Sequence, residues 1–181
     1  RNMRDTFFVS DMHFGHNNII KYCNRPYTNV ETMDDALVRN WNHIVGPHDT
    51  VYHLGDWAFH NYERIGELRG RIISIPGNHD QEREKKILPF LANGFTEEIH
   101  YLKINKELRF VLCHYPLETW NRHFKFHLHG HTHGMTGDGY SGYRGNIPNR
   151  LDVGIDAIKL YRPIHLEEVL ELIERGYLET L

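Results

Sequence analysis

Three short apolar runs, Thr6-Phe7-Phe8-Val9, Thr50-Val51-Tyr52-His53-Leu54 and Arg71-Ile72-Ile73-Ser74-Ile75, each stop at a turn of Asp, Asn, His or Gly. β-Branched and aromatic residues bounded by turn formers predict strands. Between the first two runs, Thr28-x-x-Glu31 reads as a capping box opening a helix whose apolar face is Met33, Leu37, Trp41, Ile44 and Val45; Gly46-Pro47 ends it. A shorter helix over 62–68 separates the second and third runs. Strand–helix–strand–helix–strand is the order of a parallel α/β sheet with right-handed crossovers. Open sheets of that kind bind ligands beyond the C-terminal ends of their strands. All three polar turns, Ser10-Asp11-Met12-His13, Gly55-Asp56 and Pro76-Gly77-Asn78-His79-Asp80, lie there.

The second half is richer in strands, expected over 97–104, 108–113 and 126–128, and the last two again feed histidine: His114, then Gly130-His131-Thr132-His133. Residues 134–150, rich in Gly, Tyr, Asn and Arg, read as a loop rather than core. Another strand is expected at 151–154. A closing helix follows Pro163, with Leu166, Val169, Leu170 and Ile173 on one face and Gly176 as its stop. A chain of 181 residues suits one domain over 1–181 rather than two. No apolar run approaches the length that spans a bilayer, and no apolar signal segment precedes the first strand. Met3 reads as the natural start, with Arg1 and Asn2 as added residues. Cys23 and Cys113 are the only cysteines and form no CxxC, which excludes a disulfide framework or a cysteine-rich zinc knot; a reducing, cytoplasmic setting is expected. A net charge of −3 argues against a broad electrostatic grip on nucleic acid.

The chain carries 15 histidines, too many to pass over. His43, His48, His100 and His165 read as surface residues, His53 and His129 as satisfied core or supporting groups, and His60, His123 and His127 receive no role. The others join Asp and Asn at the strand ends: Asp11, His13, Asp56, Asn78, His79, His114, His131 and His133. Such a set offers oxygen and imidazole without thiolate. Four ligands close a structural zinc shell, whereas two divalent ions sharing one carboxylate would use nearly all of these. Mixed His and carboxylate ligation suits transition metals, manganese foremost, with iron, nickel, cobalt or zinc as alternatives. Asp11-x-His13 and His131-x-His133 would send alternate side chains of extended backbone to one site. Glycines 55, 77 and 130 each precede a candidate ligand, where the chain turns sharply or passes close to the ions. Cys113, just before His114, reads as a small buried hydrophobe.

In that order, Ser-Asp11-Met-His13, Gly55-Asp56, Gly77-Asn78-His79-Asp80, His114 and Gly130-His131-Thr-His133 resemble the five-motif signature of the calcineurin-like metallophosphoesterases. The resemblance implies two mixed β-sheets packed as a sandwich and flanked by helices. It implies that Asp11, His13 and His133 bind one ion, that Asn78, His114 and His131 bind a second, and that Asp56 bridges them. The implied activity is phosphoester hydrolysis, most readily of a phosphodiester. Two ions lower the pKa of a shared water so that hydroxide attacks phosphorus in line. The resemblance makes His79 the group that assists the leaving alkoxide, with Asp80 orienting its second ring nitrogen.

The substrate implied is a small phosphate ester or nucleotide, with no membrane partner. His16 either touches substrate phosphate or is a loop residue satisfied by backbone; Arg25 and Arg144 either clamp phosphate or are solvated. Tyr115, Tyr140 and Tyr143 offer stacking surfaces for a base. The protein phosphatases of the family carry an Asp-Arg pair after the second motif and a Glu closing the third. Here Gly55-Asp56-Trp57-Ala58 and Asp80 stand instead, which favours a small bacterial or phage-type phosphoesterase. The alternatives are a phosphomonoesterase with the same parts, a nuclease, and a non-catalytic scaffold.

Overall fold

The structure is a computed structural model that describes residues 5–135 and 147–179. Most of the 134–150 loop, including Tyr140, Tyr143 and Arg144, lies outside the described residues.

Strands β1 (Thr6–Val9), β2 (Thr50–His53) and β3 (Arg71–Ser74) pair in parallel, in the order β3-β2-β1. A two-residue strand near the C-terminus, Ile164–His165, adds antiparallel to β1 and completes a four-stranded sheet. A second four-stranded sheet holds β4 (Ile99–Lys103), β5 (Arg109–Cys113), β6 (Phe126–His129) and β7 (Arg150–Asp152). Its β4–β5 pair is antiparallel and the rest is parallel. Numbered in chain order, Ile164–His165 is β8.

Period-two alternation along β1 decides what each face covers. Phe7 and Val9 pack with Met33, Leu37 and Trp41 of the helix α2 (Val30–Ile44). Phe8 points the other way and joins Tyr52, Leu54 and Ile75 against Phe110, Leu112 and Leu128 of the second sheet; the Phe8 and Phe110 rings lie 5.7 Å apart. Each such side chain contributes about 1.5–3 kcal/mol by leaving water. Leu166 and Val169 of the closing helix α5 (Leu166–Glu179) cover the same core, with Leu170 and Ile173 packed against it. The architecture is therefore α/β: two mixed sheets with flanking helices. Among the described residues no helix is long and apolar enough to cross a membrane.

Several local expectations shift. The N-cap of α2 is Asn29, whose side chain accepts from the Thr32 N–H at 2.8 Å, rather than Thr28; asparagine is among the strongest caps. The segment at 62–68 is a 3₁₀ helix, Tyr62–Glu67. A one-and-a-half-turn helix, α1 (Asn17–Tyr22), follows His16, where only loop was expected. The third motif is no free loop, because α3 (Asn78–Ile87) begins at Asn78 itself. Finally, α5 continues through Gly176, which does not take the left-handed conformation that a stop requires.

Candidate metal centre

The motif loops meet because their backbones pair beyond the strand ends. Asp11 N–H donates to Gly55 O at 3.0 Å, His13 N–H to Asp56 O at 3.2 Å, Gly130 N–H to His114 O at 2.9 Å and Ile155 N–H to Ser10 O at 3.1 Å. These bonds stitch both sheets into one floor. On it, donor atoms of Asp11, His13 and His133 lie within 4.8 Å of one another, and so do those of Asp56, His114 and His131. Asp56 Oδ2 sits between the groups, 3.6 Å from His13 Nε2 and 3.3 Å from His114 Nε2. Asn78 Oδ1 lies 3.0 Å from His114 Nε2, and His131 Nδ1 lies 3.2 Å from the same nitrogen.

The convergence is not made by extended backbone. Asp11, His13, Asp56, His131 and His133 all have φ between 52° and 73°. Left-handed conformation costs a non-glycine residue about 1–2 kcal/mol, so each pair aims at one point through tight turns rather than through strand alternation. Such strain persists only where surrounding contacts hold it, and it gathers at functional sites. The three motif glycines behave as expected. A Cβ at Gly130 would overlap Ser10 and the Asp11 carboxylate, one at Gly77 would overlap Asp56, and Gly55 has φ +100°.

Every Nε2-directed histidine is anchored through its other nitrogen. His13 Nδ1 lies 3.1 Å from His16 Nδ1, His114 Nδ1 lies 2.7 Å from Leu54 O, and His133 Nδ1 lies 2.6 Å from Asp156 Oδ2. Occupying Nδ1 fixes the tautomer that leaves Nε2 free to ligate. Around that point the charges are unbalanced. Burial would lower His114 and His133, but Asp56 and Asp11 raise His114 to about 9, and Asp11 with Asp156 pushes His133 up to about 12. Burial would raise Asp11 and Asp56, yet His133, His13 and His114 hold the Asp11 carboxyl, and His114 and His13 the Asp56 carboxyl, well below the usual range. A field that keeps protons on buried imidazoles is also a field that attracts a cation. Asp11 Oδ1 and His13 Nε2, both buried and 3.8 Å apart, have no hydrogen-bond partner. Buried polar atoms are rarely left so without a reason, and this donor set fits divalent transition ions.

The other predicted residues divide. His79 is half-buried on the first turn of α3, its ring 4.8 Å from Phe59 and 6.0 Å from His13. Its backbone N–H donates to Asp56 Oδ1 at 3.1 Å, and burial followed by the charge of His13 lowers its pKa. Asp80 does not orient His79. Its carboxylate accepts from Asp56 N–H at 2.8 Å, Trp57 N–H at 2.9 Å and Gly77 N–H at 2.8 Å, clamping the second motif to the third. As the third residue of the helix, it turns back over the helix start and away from the His79 ring. Burial and the nearby Asp56 push its carboxyl up to about 6.

His16 turns Nδ1 to His13 and stacks on Phe59 at 4.0 Å, and burial lowers it to about 4. Arg25 is no phosphate clamp. It is 3% exposed, and its guanidinium donates to Asp156 through Nε (2.8 Å) and a terminal nitrogen (2.9 Å), to Met12 O (2.8 Å) and to Asp11 O (2.8 Å). A guanidinium with that many internal acceptors has little left for substrate. His53 and His129 are buried, His53 accepting from Gly55 N–H at 3.1 Å and His129 lying 2.8 Å from Gly130 O, in keeping with supporting roles. Cys113 is buried.

Three supporting carboxylates escaped sequence reading. Asp34 accepts from Gly15 N–H at 3.1 Å, Asp152 accepts from Thr132 Oγ1 at 2.6 Å, and Asp156 stands behind His133. None sits in a motif, and each acts on a loop distant in the chain. Cys23, His133 and Asp156 also cluster closely enough to suggest a third cation site. Arg25 occupies both oxygens of Asp156, so a cation there would meet a fixed positive charge.

No family model matches the chain. The chain is similar to the uncharacterized protein MJ1445 of Methanocaldococcus jannaschii, 36% identical over 184 residues, which take in 96% of this chain and 94% of the relative. It is also similar to the Gene 66 protein of Mycobacterium phage L5, 36% identical over 85 residues, 43% of this chain and 41% of that one. Among solved structures, the protein of unknown function AQ665 from Aquifex aeolicus aligns with 92% of this chain and 98% of its own, at TM-score 0.66 and 26% identity.

Proposed function

The chain belongs to the family of the Methanocaldococcus jannaschii protein MJ1445, and we propose that it is a dinuclear metal-dependent phosphoesterase of calcineurin-like type, acting first on phosphodiesters. The observation that carries this reading is the pair of buried, unpartnered atoms Asp11 Oδ1 and His13 Nε2, converging beside Asp56 Oδ2. In this reading Asp11, His13 and His133 hold one ion, Asn78, His114 and His131 hold the other, and Asp56 is shared. When bound, such a pair of ions activates water at neutral pH and neutralises charge on a phosphate. The chain's own residues do the rest. Left-handed turns aim the candidate ligands onto one floor, and buried hydrogen bonds behind them hold that aim. The first turn of α3 directs the His79 backbone N–H at Asp56 Oδ1, and His114 with His13 keeps that carboxylate ionised. His79, half-buried beside His13, gives a proton to the departing alkoxide oxygen from its imidazolium form, which its lowered pKa makes a stronger acid and a smaller population at neutral pH.

The experiment compares bis(p-nitrophenyl) phosphate with p-nitrophenyl phosphate, using metal-stripped protein re-supplied with Mn, Ni, Co, Zn or Mg. Turnover should require metal, favour the diester, and fall at least 100-fold in Asp56→Asn, the scale expected when a shared ligand goes. His79→Ala should lower kcat while metal content stays unchanged. Turnover indifferent to metal, or metal-dependent turnover that survives Asp56→Asn, refutes the mechanism; a monoester preference moves the reaction class.

A further inference from the structure

We propose that Asp156, gripped by Arg25, is the positioning residue for His133, and that it makes the Asp11–His13–His133 site the tighter of the two ion sites. The proposal rests on the dinuclear reading above and adds an inequality which that reading does not contain.

The geometry is a continuous chain of contacts. Asp156 lies on the first turn of α4 (Ile155–Ile158) and is buried. Its Oδ2 meets His133 Nδ1 at 2.6 Å, while His133 Nε2 faces Asp11 Oδ1 at 3.9 Å. Arg25 grips both oxygens of Asp156 in a fork, at 2.8 and 2.9 Å, which removes the carboxylate's freedom to rotate. The same guanidinium donates to the carbonyl oxygens of Asp11 and Met12, so one cation sets the backbone bearing Asp11 and His13 and the carboxylate behind His133. All three ligands of one site therefore share a single buried anchor.

In the other site His114 has a neutral carbonyl, Leu54 O, at its Nδ1; within the first site the partner of His13 is a neutral ring. Of these three anchored histidines, only His133 is backed by a carboxylate. An anionic partner increases the donor strength of the opposite nitrogen, and removing such a partner costs about 10–100-fold in metal affinity.

The test is equilibrium dialysis of the metal-stripped full chain against Mn²⁺, reading stoichiometry and two dissociation constants for wild type, Asp156→Asn, His133→Ala, His114→Ala and Asp156→Asn/His133→Ala. Wild type should bind two ions unequally. His133→Ala should remove the tight class, and His114→Ala should remove the weak one. Asp156→Asn should weaken the tight class about 10–100-fold, leave the weak class intact, and add nothing further in the His133→Ala background. The retained weak site and far-UV circular dichroism report folding, and Asp156→Ser replaces Asp156→Asn if the latter is recovered unfolded. An unchanged tight class overturns the proposal, as does equal weakening of both classes. A weaker remaining class in Asp156→Asn/His133→Ala than in His133→Ala also overturns it, because Asp156 would then be supporting the fold rather than the ligand. A wild-type chain that binds no ion refutes the dinuclear reading itself and this proposal with it.

Discussion

Replacing Asp80 with Asn separates two roles that a motif alone leaves superimposed. If Asp80 oriented the His79 ring, Asp80→Asn would alter catalysis and leave stability nearly untouched. The structure instead gives its carboxylate three backbone N–H donors, from Asp56, Trp57 and Gly77, at 2.8–2.9 Å. Asparagine keeps one acceptor oxygen and turns an NH₂ toward at least one of those donors. That donor is left buried and unsatisfied, at about 1–3 kcal/mol; loss of the charge adds nothing to this, because burial beside Asp56 already holds the carboxyl up at about 6. The expected loss is about 1–3 kcal/mol. The assay is urea unfolding of metal-free protein at pH 7, with the m-value checked for constancy. A stability change under about 1 kcal/mol, together with a kinetic defect like that of His79→Ala, would refute the clamp and restore the orienting role.

Other outcomes follow from the same structure. Saturating divalent ion should stabilise the chain by about 2.7 kcal/mol at a hundredfold excess over Kd; a melting temperature indifferent to Mn, Co and Zn alike would contradict an ion-binding floor. Gly130→Ala would drive a methyl group into Ser10 and the Asp11 carboxylate, so overpacking should cost about 1–3 kcal/mol and weaken ion binding together; a variant matching wild type in both would show that the loop yields freely. His127 is buried between Val111 O and the Leu117 N–H, and burial lowers its pKa to about 3. Its folded pKa lies below the unfolded value of 6.5, so its stabilising contribution is complete above pH 6.5 and is lost as pH falls toward 3. By pH 5 that loss is about 2 kcal/mol. In His127→Gln the drop in unfolding free energy between pH 7 and pH 5 should shrink by about that amount, and an unchanged drop would mean that other groups govern acid sensitivity.

Much of this protein is legible in its sequence, because the informative signals are local. Short β-branched runs ending in Gly and Asp mark strands and their C-terminal turns, and the order of those runs leaves little but a parallel α/β sheet for the first half. The same turns hold the donors that meet on the floor: Asp11, His13, Asp56, Asn78, His114, His131 and His133. Composition and adjacency suffice for that much, since a candidate ligand is recognised by its own chemistry. What a residue does for another residue is different in kind. Arg25 and Asp156 are separated by 131 positions and meet only because α4 folds under the first motif; read alone, a loop arginine looks like a phosphate clamp. Asp80 beside His79 looks like its partner, until the start of α3 turns the carboxylate toward Asp56 and Gly77. The left-handed turns at five of the candidate ligand positions are equally hard to read from sequence, because Asp and His visit φ near +60° more often than most residues but only in a small minority of positions. Sequence alone determined which atoms could bind an ion. Tertiary packing decided how they are aimed, because aim depends on buried hydrogen bonds between segments that are neighbours only in the fold.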